Sequence, residues 1–372
     1  MRAVGLILAG GSTKRMQQLT DRRAAAAMPI ASSYRAIDFA LSNMTNSHIQ
    51  RVAVLTQYNA RSLNEHLNSS KWWDFGRKQG GLYVFTPTIT VDNGYWYRGT
   101  ADAIYQNLDF LKRCHEPYVI ITSADAVYKL DYNKVLEYHI AKKADITVVV
   151  KDMEPNEDVT RFGTVRMNES ARIEEFEEKP MVAKSHTVST GIYVIRRRQL
   201  IDLIEHSAEE ERYDFVNDIL IRYKNLKKIY GYKIHNYWSN ISTVDSYYKT
   251  NMDFLKSDVR NYFFKELPAV YSKVSDQPPA KYNPGAVVKN SLVGSGSIIN
   301  GTVENSVLFK KVFVGNNCVI KNSIILNDVY LGDNTYIENC IVESRDTIRA
   351  NTRHVGEEGV KVVVEKNERY TL

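Results

Sequence analysis

Four short runs near the end of the chain repeat in step: Asn290-Ser291-Leu292-Val293, Asn305-Ser306-Val307-Leu308, Asn322-Ser323-Ile324-Ile325 and Asn339-Cys340-Ile341-Val342, at intervals of 15, 17 and 17 residues. Gly315-Asn316 and Gly332-Asp333 recur in phase with them. A step of about three six-residue units, with β-branched runs divided by Gly and Asn turns, predicts a parallel β-helix in which each coil stacks on the last. Helical repeats need longer amphipathic segments than these units allow.

Upstream the pattern differs. From Met1 to about Lys256, short apolar runs alternate with stretches whose apolar residues fall at helical spacing, the pattern of strands joined by helices. Strands are predicted at Val4–Ala9, Arg51–Thr56, Tyr118–Thr122, Ile146–Val150, Gly163–Met167 and Gly191–Ile195, and helices at Ser62–Leu67, Ala101–Arg113 and Tyr132–Lys142. The expected architecture is α/β: a doubly wound, mostly parallel, Rossmann-like sheet, with ligands beyond the carboxyl ends of its strands. The expected division is an α/β domain over residues 1–257, a linker over 258–280 that contains the Ser275-Asp276-Gln277-Pro278-Pro279 break, and a β-helix domain over 281–372.

Composition narrows the function classes. A chain of 372 residues exceeds the size at which a single core keeps growing. No apolar run approaches the roughly 20 residues that span a bilayer, and the N-terminus passes into a glycine turn rather than a cleavage site, so a cytoplasmic protein with no membrane partner is expected. The three cysteines, Cys114, Cys318 and Cys340, form neither a paired framework nor a metal-ligand spacing. A net charge of +6, interleaved with acids, is too weak and diffuse for nucleic acid but suits phosphorylated small molecules.

The first predicted strand runs into Gly10-Gly11-Ser12-Thr13-Lys14-Arg15. Such a turn exposes backbone N–H groups that can cradle phosphate, though an ordinary strand-to-helix turn reads the same way. Together with Arg35-Ala36-Ile37-Asp38-Phe39-Ala40-Leu41-Ser42-Asn43, Thr56-Gln57-Tyr58, Trp96-Tyr97-Arg98-Gly99-Thr100-Ala101-Asp102-Ala103, Glu178-Lys179-Pro180 and Gly191-Ile192-Tyr193, in that order, the chain resembles the bacterial glucose-1-phosphate adenylyltransferases, or ADP-glucose pyrophosphorylases. The resemblance covers nearly the whole chain and implies a nucleotidyltransferase domain followed by a left-handed β-helix. In that family glucose 1-phosphate attacks the α-phosphorus of ATP, pyrophosphate leaves, and ADP-glucose goes to glycogen or starch synthesis. Mg²⁺, held by two aspartates, neutralises the approaching phosphates.

The resemblance assigns site residues. The first metal aspartate becomes Asp125, in Ala124-Asp125-Ala126, where the family has Gly-Asp-His; structural and residual metal roles both stay open for it. The second, in Trp-x-Asp-Val-Gly-Thr, becomes Asn240, whose amide brings no charge, so Mg²⁺ is expected to bind weakly or not at all. Arg15 falls among the catalytic residues, Thr13 takes the place of a third glycine, and Ala25, in Arg22-Arg23-Ala24-Ala25-Ala26-Ala27, that of a phosphate-binding lysine. Gly10, Gly11, Tyr97, Gly99 and Thr100 are the expected nucleotide-binding residues, with core packing the other reading of Tyr95-Trp96-Tyr97. Gln57, Glu178, Lys179, Ser189, Gly191 and Tyr193 are the expected sugar-phosphate residues.

A retained pocket beside a damaged metal site resembles the family's non-catalytic regulatory subunit, which pairs with an active homologue in a heterotetramer and tunes its response to effectors. The competing reading is an adenylyltransferase active in its own right; the assembly is then a homo-oligomer or the mixed tetramer. Expected small-molecule partners are a sugar phosphate, a nucleotide or a phosphorylated effector. Arg196-Arg197-Arg198 and Lys227-Lys228 are the basic runs considered for that effector, against plain solvated surface. Acyl transfer on the β-helix needs a histidine, and the repeats supply only His354, beyond the last clear coil.

Overall fold

The computed structural model describes residues 2–11, 14–76, 80–88, 94 and 96–365. Ser12, Thr13 and Tyr95 lie outside the described residues. Ala3–Leu8 is apolar along its length and is the central strand of a nine-stranded sheet, paired in parallel with Arg51–Leu55 on one side and Tyr118–Ser123 on the other. Gly81–Phe85 extends the parallel run. The long strand Thr187–Arg196 then enters antiparallel against Tyr118–Ser123 and also pairs with Ile146–Asp152 and Gly163–Met167.

Alternate side chains of the central strands go to opposite faces, so the domain has two cores. Ile7, Val52 and Val54 pack with Ile37, Leu41, Met44 and Leu136 on one face. Leu6, Ala53 and Leu55 pack with Ile104, Leu111, Leu200 and Ile204 on the other. Among the described residues no helix is long and apolar enough to cross a membrane.

Three departures from the sequence reading have local causes. The helix expected over Ala101–Arg113 is two, Thr100–Tyr105 and Leu108–Lys112. At the break the Asn107 side chain donates to Ala103 O at 2.8 Å and Tyr97 Oη at 3.0 Å, a local bond that competes with helix continuation. Ile173–Glu178 is an unforeseen strand; a register shift between Ile173 and Glu175 buries Ile173 and Phe176, a spacing of three that hides the usual alternation. Within 258–280, read as a linker, the first residues belong to the helix Ser257–Phe264, whose Phe263 is fully buried.

The C-terminal part is the expected left-handed β-helix: three five-stranded parallel sheets, each taking one strand per coil. Its core stacks Ile299, Val314, Leu331 and Ile348 in one column and Val303, Ile320 and Ile337 in the next. The Asn-Ser repeat has a physical reason. Asn290, Asn305, Asn322 and Asn339 all adopt positive φ (41–52°), which Asn tolerates better than β-branched residues. The following hydroxyls link coil to coil: Ser306 N donates to Ser291 Oγ, Ser323 N to Ser306 Oγ and Cys340 N to Ser323 Oγ, at 3.1, 3.1 and 3.2 Å.

The β-helix is not a free appendage. Val307, Phe309, Ile324 and Leu326 share a core with Met16, Met28, Phe39, Tyr247 and Phe263 of the first domain. Tyr248 Oη donates to Asn322 O at 2.7 Å, and half-buried Arg23 forms an ion pair with buried Glu343. Beside that pair Asp346 is 2% exposed, and burial, reinforced by the Glu343 and Glu365 carboxylates, raises its pKa from 3.8 to about 7 despite the Glu365 N–H bond and Arg22.

A carboxyl group raised in the folded state costs stability as pH rises. The penalty is absent below the unfolded pKa near 3.8, grows as the unfolded chain ionises, and is complete above about 7. Asp346→Asn keeps the acceptor for Glu365 N, so it should stabilise the protein by roughly 1–3 kcal/mol at about pH 8 and leave it unchanged at about pH 4. Urea unfolding at the two pH values checks this.

Candidate functional site

The carboxyl ends of two adjacent parallel strands build the floor of a cleft of about 520 Å³. Ala3–Leu8 delivers Ala9 and Gly11; Tyr118–Ser123 delivers Ala124 and Asp125, with Ala124 N donating to Leu8 O at 3.1 Å. From the other side Thr187–Arg196 brings Ser189, Thr190 and Gly191 past Ser123. Gly191 has a φ of 75° at a register shift in this strand, and a Cβ there would lie 3.3 Å from Ser123 Cβ, so the position suits glycine twice over.

Lys179 also lies in the left-handed region, at φ 47°, with its backbone N donating to Phe162 O at 3.1 Å. Strain of this kind in a non-Gly residue at a cleft wall costs energy and persists only where the surroundings enforce it. Its ammonium is 3.2 Å from Glu178 Oε1, and burial raises the pKa of Glu178 in spite of that neighbour. Burial likewise pushes the Tyr193 phenol upward, so its hydroxyl, 3.4 Å from Ser189 Oγ, stays neutral.

Asn240 comes from a two-stranded antiparallel sheet, Trp238–Asn240 against Ala126–Tyr128, in which Asn240 pairs with Ala126 and so sits beside Asp125. Two backbone groups of fixed polarity orient its amide: Oδ1 accepts from Ser242 N at 2.9 Å, and Nδ2 donates to the Asp125 carbonyl at 3.2 Å. Asp125 itself accepts a short hydrogen bond from Ser123 Oγ.

The donor set does not fit a firmly held Mg²⁺. That ion takes hard oxygen donors, usually one or two carboxylates, in near-octahedral array. Here Asp125 is the one carboxylate beside Asn240, since Glu178 is paired with Lys179; the neighbouring amide is neutral and already accepts from a backbone N–H, and no group of three His, Cys, Asp or Glu residues able to hold a metal occurs among the described residues.

Of the residues expected from sequence, Gly11, Arg15, Asp125, Glu178, Lys179, Ser189, Gly191, Tyr193 and Asn240 all line this cleft, as does Ala25. Gly10, Gln57, Tyr97, Gly99 and Thr100 do not; they form a second layer. Gln57 stands behind Gly10 and accepts from Tyr97 N at 2.6 Å. Gly99 abuts the Tyr213 backbone, where a Cβ would clash, and Thr100 Oγ1 accepts from Phe215 N at 2.9 Å. These two therefore hold neighbouring segments in place. Arg161 lines the cleft and was not foreseen, because nothing at the start of the Gly163–Met167 strand marks it in sequence.

A second cavity, of about 660 Å³, opens between the first domain and the β-helix and carries Arg22, Arg23, Arg35, Arg61, Lys273 and Lys310 among its lining residues. Burial and the neighbouring Arg35 guanidinium lower the Lys310 pKa, although Asp38 opposes them. The turn at residues 22–27 is a shared wall: Ala25 and Ala26 face the first cleft, Arg22, Arg23 and Ala27 the second cavity. The basic runs singled out in sequence are elsewhere, and Arg197 is spent on the carbonyls of Glu116 and Leu111 at 2.8 and 3.0 Å.

An α/β sheet with a polar cleft at its strand ends, joined to a hexapeptide solenoid, defines the class. Residues 4–257 match the Nucleotidyl transferase family model, and residues 278–365 match the model described as GlmU-like, C-terminal hexapeptide. The chain is 39% identical over 320 residues to a glucose-1-phosphate adenylyltransferase of Clostridium novyi (strain NT), covering 85% of this chain and 84% of that protein. It is 38% identical to one from Geobacillus stearothermophilus, covering 86% and 83%, and 38% identical to one from Mycoplasma mobile, covering 85% and 84%. The chain belongs to the glucose-1-phosphate adenylyltransferase family.

Proposed function

We propose that this chain is a regulatory, catalytically deficient subunit of ADP-glucose pyrophosphorylase in glycogen biosynthesis. It pairs with a catalytic homologue that makes ADP-glucose and pyrophosphate from ATP and glucose 1-phosphate. The observation that carries this reading is the amide of Asn240, held by Ser242 N and the Asp125 carbonyl where the family has a metal-binding carboxylate. Ala25, in the position of a phosphate-binding lysine, removes a second charge from the same cleft.

Joining two phosphates requires charge neutralisation and positioning at the reacting centre. Binding a sugar phosphate requires less, and Lys179, Ser189, Gly191 and Tyr193 remain together for it. The basic cavity against the β-helix suits a phosphorylated effector, and its wall at residues 22–27 reaches the cleft. Mixing the chain with a catalytic homologue should yield one heteromeric species by light scattering and shift that homologue's effector half-saturation severalfold. Two separate homo-oligomers with unaltered effector response would refute the pairing. Retention of Asp125 in the cleft favours the second reading, an adenylyltransferase active on its own, which the chain's own turnover decides.

A further inference from the structure

Four cations line the cleft, Lys14, Arg15, Arg161 and Lys179, against the carboxylates of Asp125 and Glu178. Among the described residues only Lys179 of the four has an acidic partner within 4.0 Å. Lys14, Arg15 and Lys179 are exposed and well hydrated, whereas Arg161 is half-buried, with burial as the leading cause of its lowered pKa. Asp158, Glu157 and Asp125 attract Arg161 from beyond 4.0 Å and offset part of the cost of burying it; the rest is recovered when an anion arrives within hydrogen-bonding reach.

Arg161 is also held still. Its guanidinium lies over the Phe162 ring at 4.7 Å, and Nη1 donates to Thr243 Oγ1 at 3.3 Å. A guanidinium has five N–H donors in a planar fork; among the described residues this is its single hydrogen bond, leaving the rest for a ligand. Thr243 closes the same loop that begins at Asn240. Asn240 lines the same cleft and adds no negative charge to it.

We infer that the cleft binds a phosphate ester without a divalent metal, the Arg161 fork taking the charge that a metal ion would otherwise neutralise. The inference rests on the reading of the chain as a deficient member and names how that member's cleft holds its ligand. Fork-to-phosphate bonds are charge-assisted and geometrically selective, so lysine is an incomplete replacement for Arg161.

Calorimetric titration of the full chain with glucose 1-phosphate, and separately with ATP, in EDTA and in Mg²⁺ tests it. Glucose 1-phosphate is the deciding probe, because ATP itself chelates the metal; the ATP arm shows whether the phosphate ester is a sugar phosphate, a nucleotide or either. The expected result is a dissociation constant for glucose 1-phosphate that changes by less than about twofold between the two buffers. Arg161→Gln should weaken binding by about tenfold or more, and Arg161→Lys by less, with thermal midpoints near the parent's. Binding that strengthens severalfold with Mg²⁺, an Arg161→Lys variant that melts like the parent and binds as tightly as Arg161→Gln, an Arg161→Gln variant that binds like the parent, or no binding of either probe would overturn the inference. Turnover by the chain alone would sink the deficient-subunit reading and leave chelator-insensitive binding standing, so the two fail separately.

Discussion

Purified and given ATP, glucose 1-phosphate and Mg²⁺, the chain alone should release pyrophosphate roughly four orders of magnitude more slowly than the typical enzyme median of about 10 s⁻¹. Two charged contacts on the transferring phosphates are replaced by neutral groups, at Ala25 and Asn240, as the family resemblance identifies them. Removing one electrostatic donor from such a site costs about 2–4 kcal/mol, and every 1.36 kcal/mol is tenfold in rate. Both losses act on the same developing charge, so they combine to less than their sum. A coupled pyrophosphate assay reads the rate directly, and turnover near the median shows that another group supplies the missing charge.

Asn240→Asp should be a cation-dependent substitution. One oxygen of the new carboxylate can still accept from Ser242 N, but the other replaces an N–H donor and faces the Asp125 carbonyl oxygen across the 3.2 Å contact. Two acceptors at that distance, 9% exposed at the side of Asn240, cost on the order of 1–3 kcal/mol. In EDTA the variant should therefore melt several degrees below the parent. Added Mg²⁺ can sit among the new carboxylate, Asp125 and water, so the loss should be recovered in Mg²⁺ while the parent barely responds. Combined with Ala25→Lys, whose side chain extends from the cleft wall, the variant should gain about 10²–10³-fold in turnover. A double variant with Mg²⁺-dependent stability but no gain in rate would assign the deficiency to other departures, such as Thr13 or Ala126.

The solenoid was legible in sequence because each coil solves one local problem in the same way: an Asn for the positive-φ corner, a hydroxyl to the next coil and a β-branched residue for the core. The cleft was legible as far as short motifs reach, since Asp125 and Lys179 lie just past strand ends and Ser189 and Gly191 at the register shift of a strand, all brought together by the sheet. Arg161 was not, because its role depends on Thr243, more than eighty residues away. The basic cavity escaped for the same reason: its cations, including the pairs Arg22-Arg23 and Lys310-Lys311, come from segments far apart in sequence that only the fold brings together. Pattern also failed where a side chain overrides it, as at the Asn107 helix break and the shifted register of Ile173–Glu178.

The proposed deficiency rests on one carboxylate, Asp125, beside a neutral amide, a pair expected to hold a divalent ion only weakly. A titration with Mn²⁺, followed by the loss of the free ion's paramagnetic resonance signal in the presence of glucose 1-phosphate, tests it most directly. No saturable site is expected until the millimolar range in the parent chain, and a tighter one is expected in Asn240→Asp. A stoichiometric, micromolar site in the parent that disappears in Asp125→Asn would contradict it.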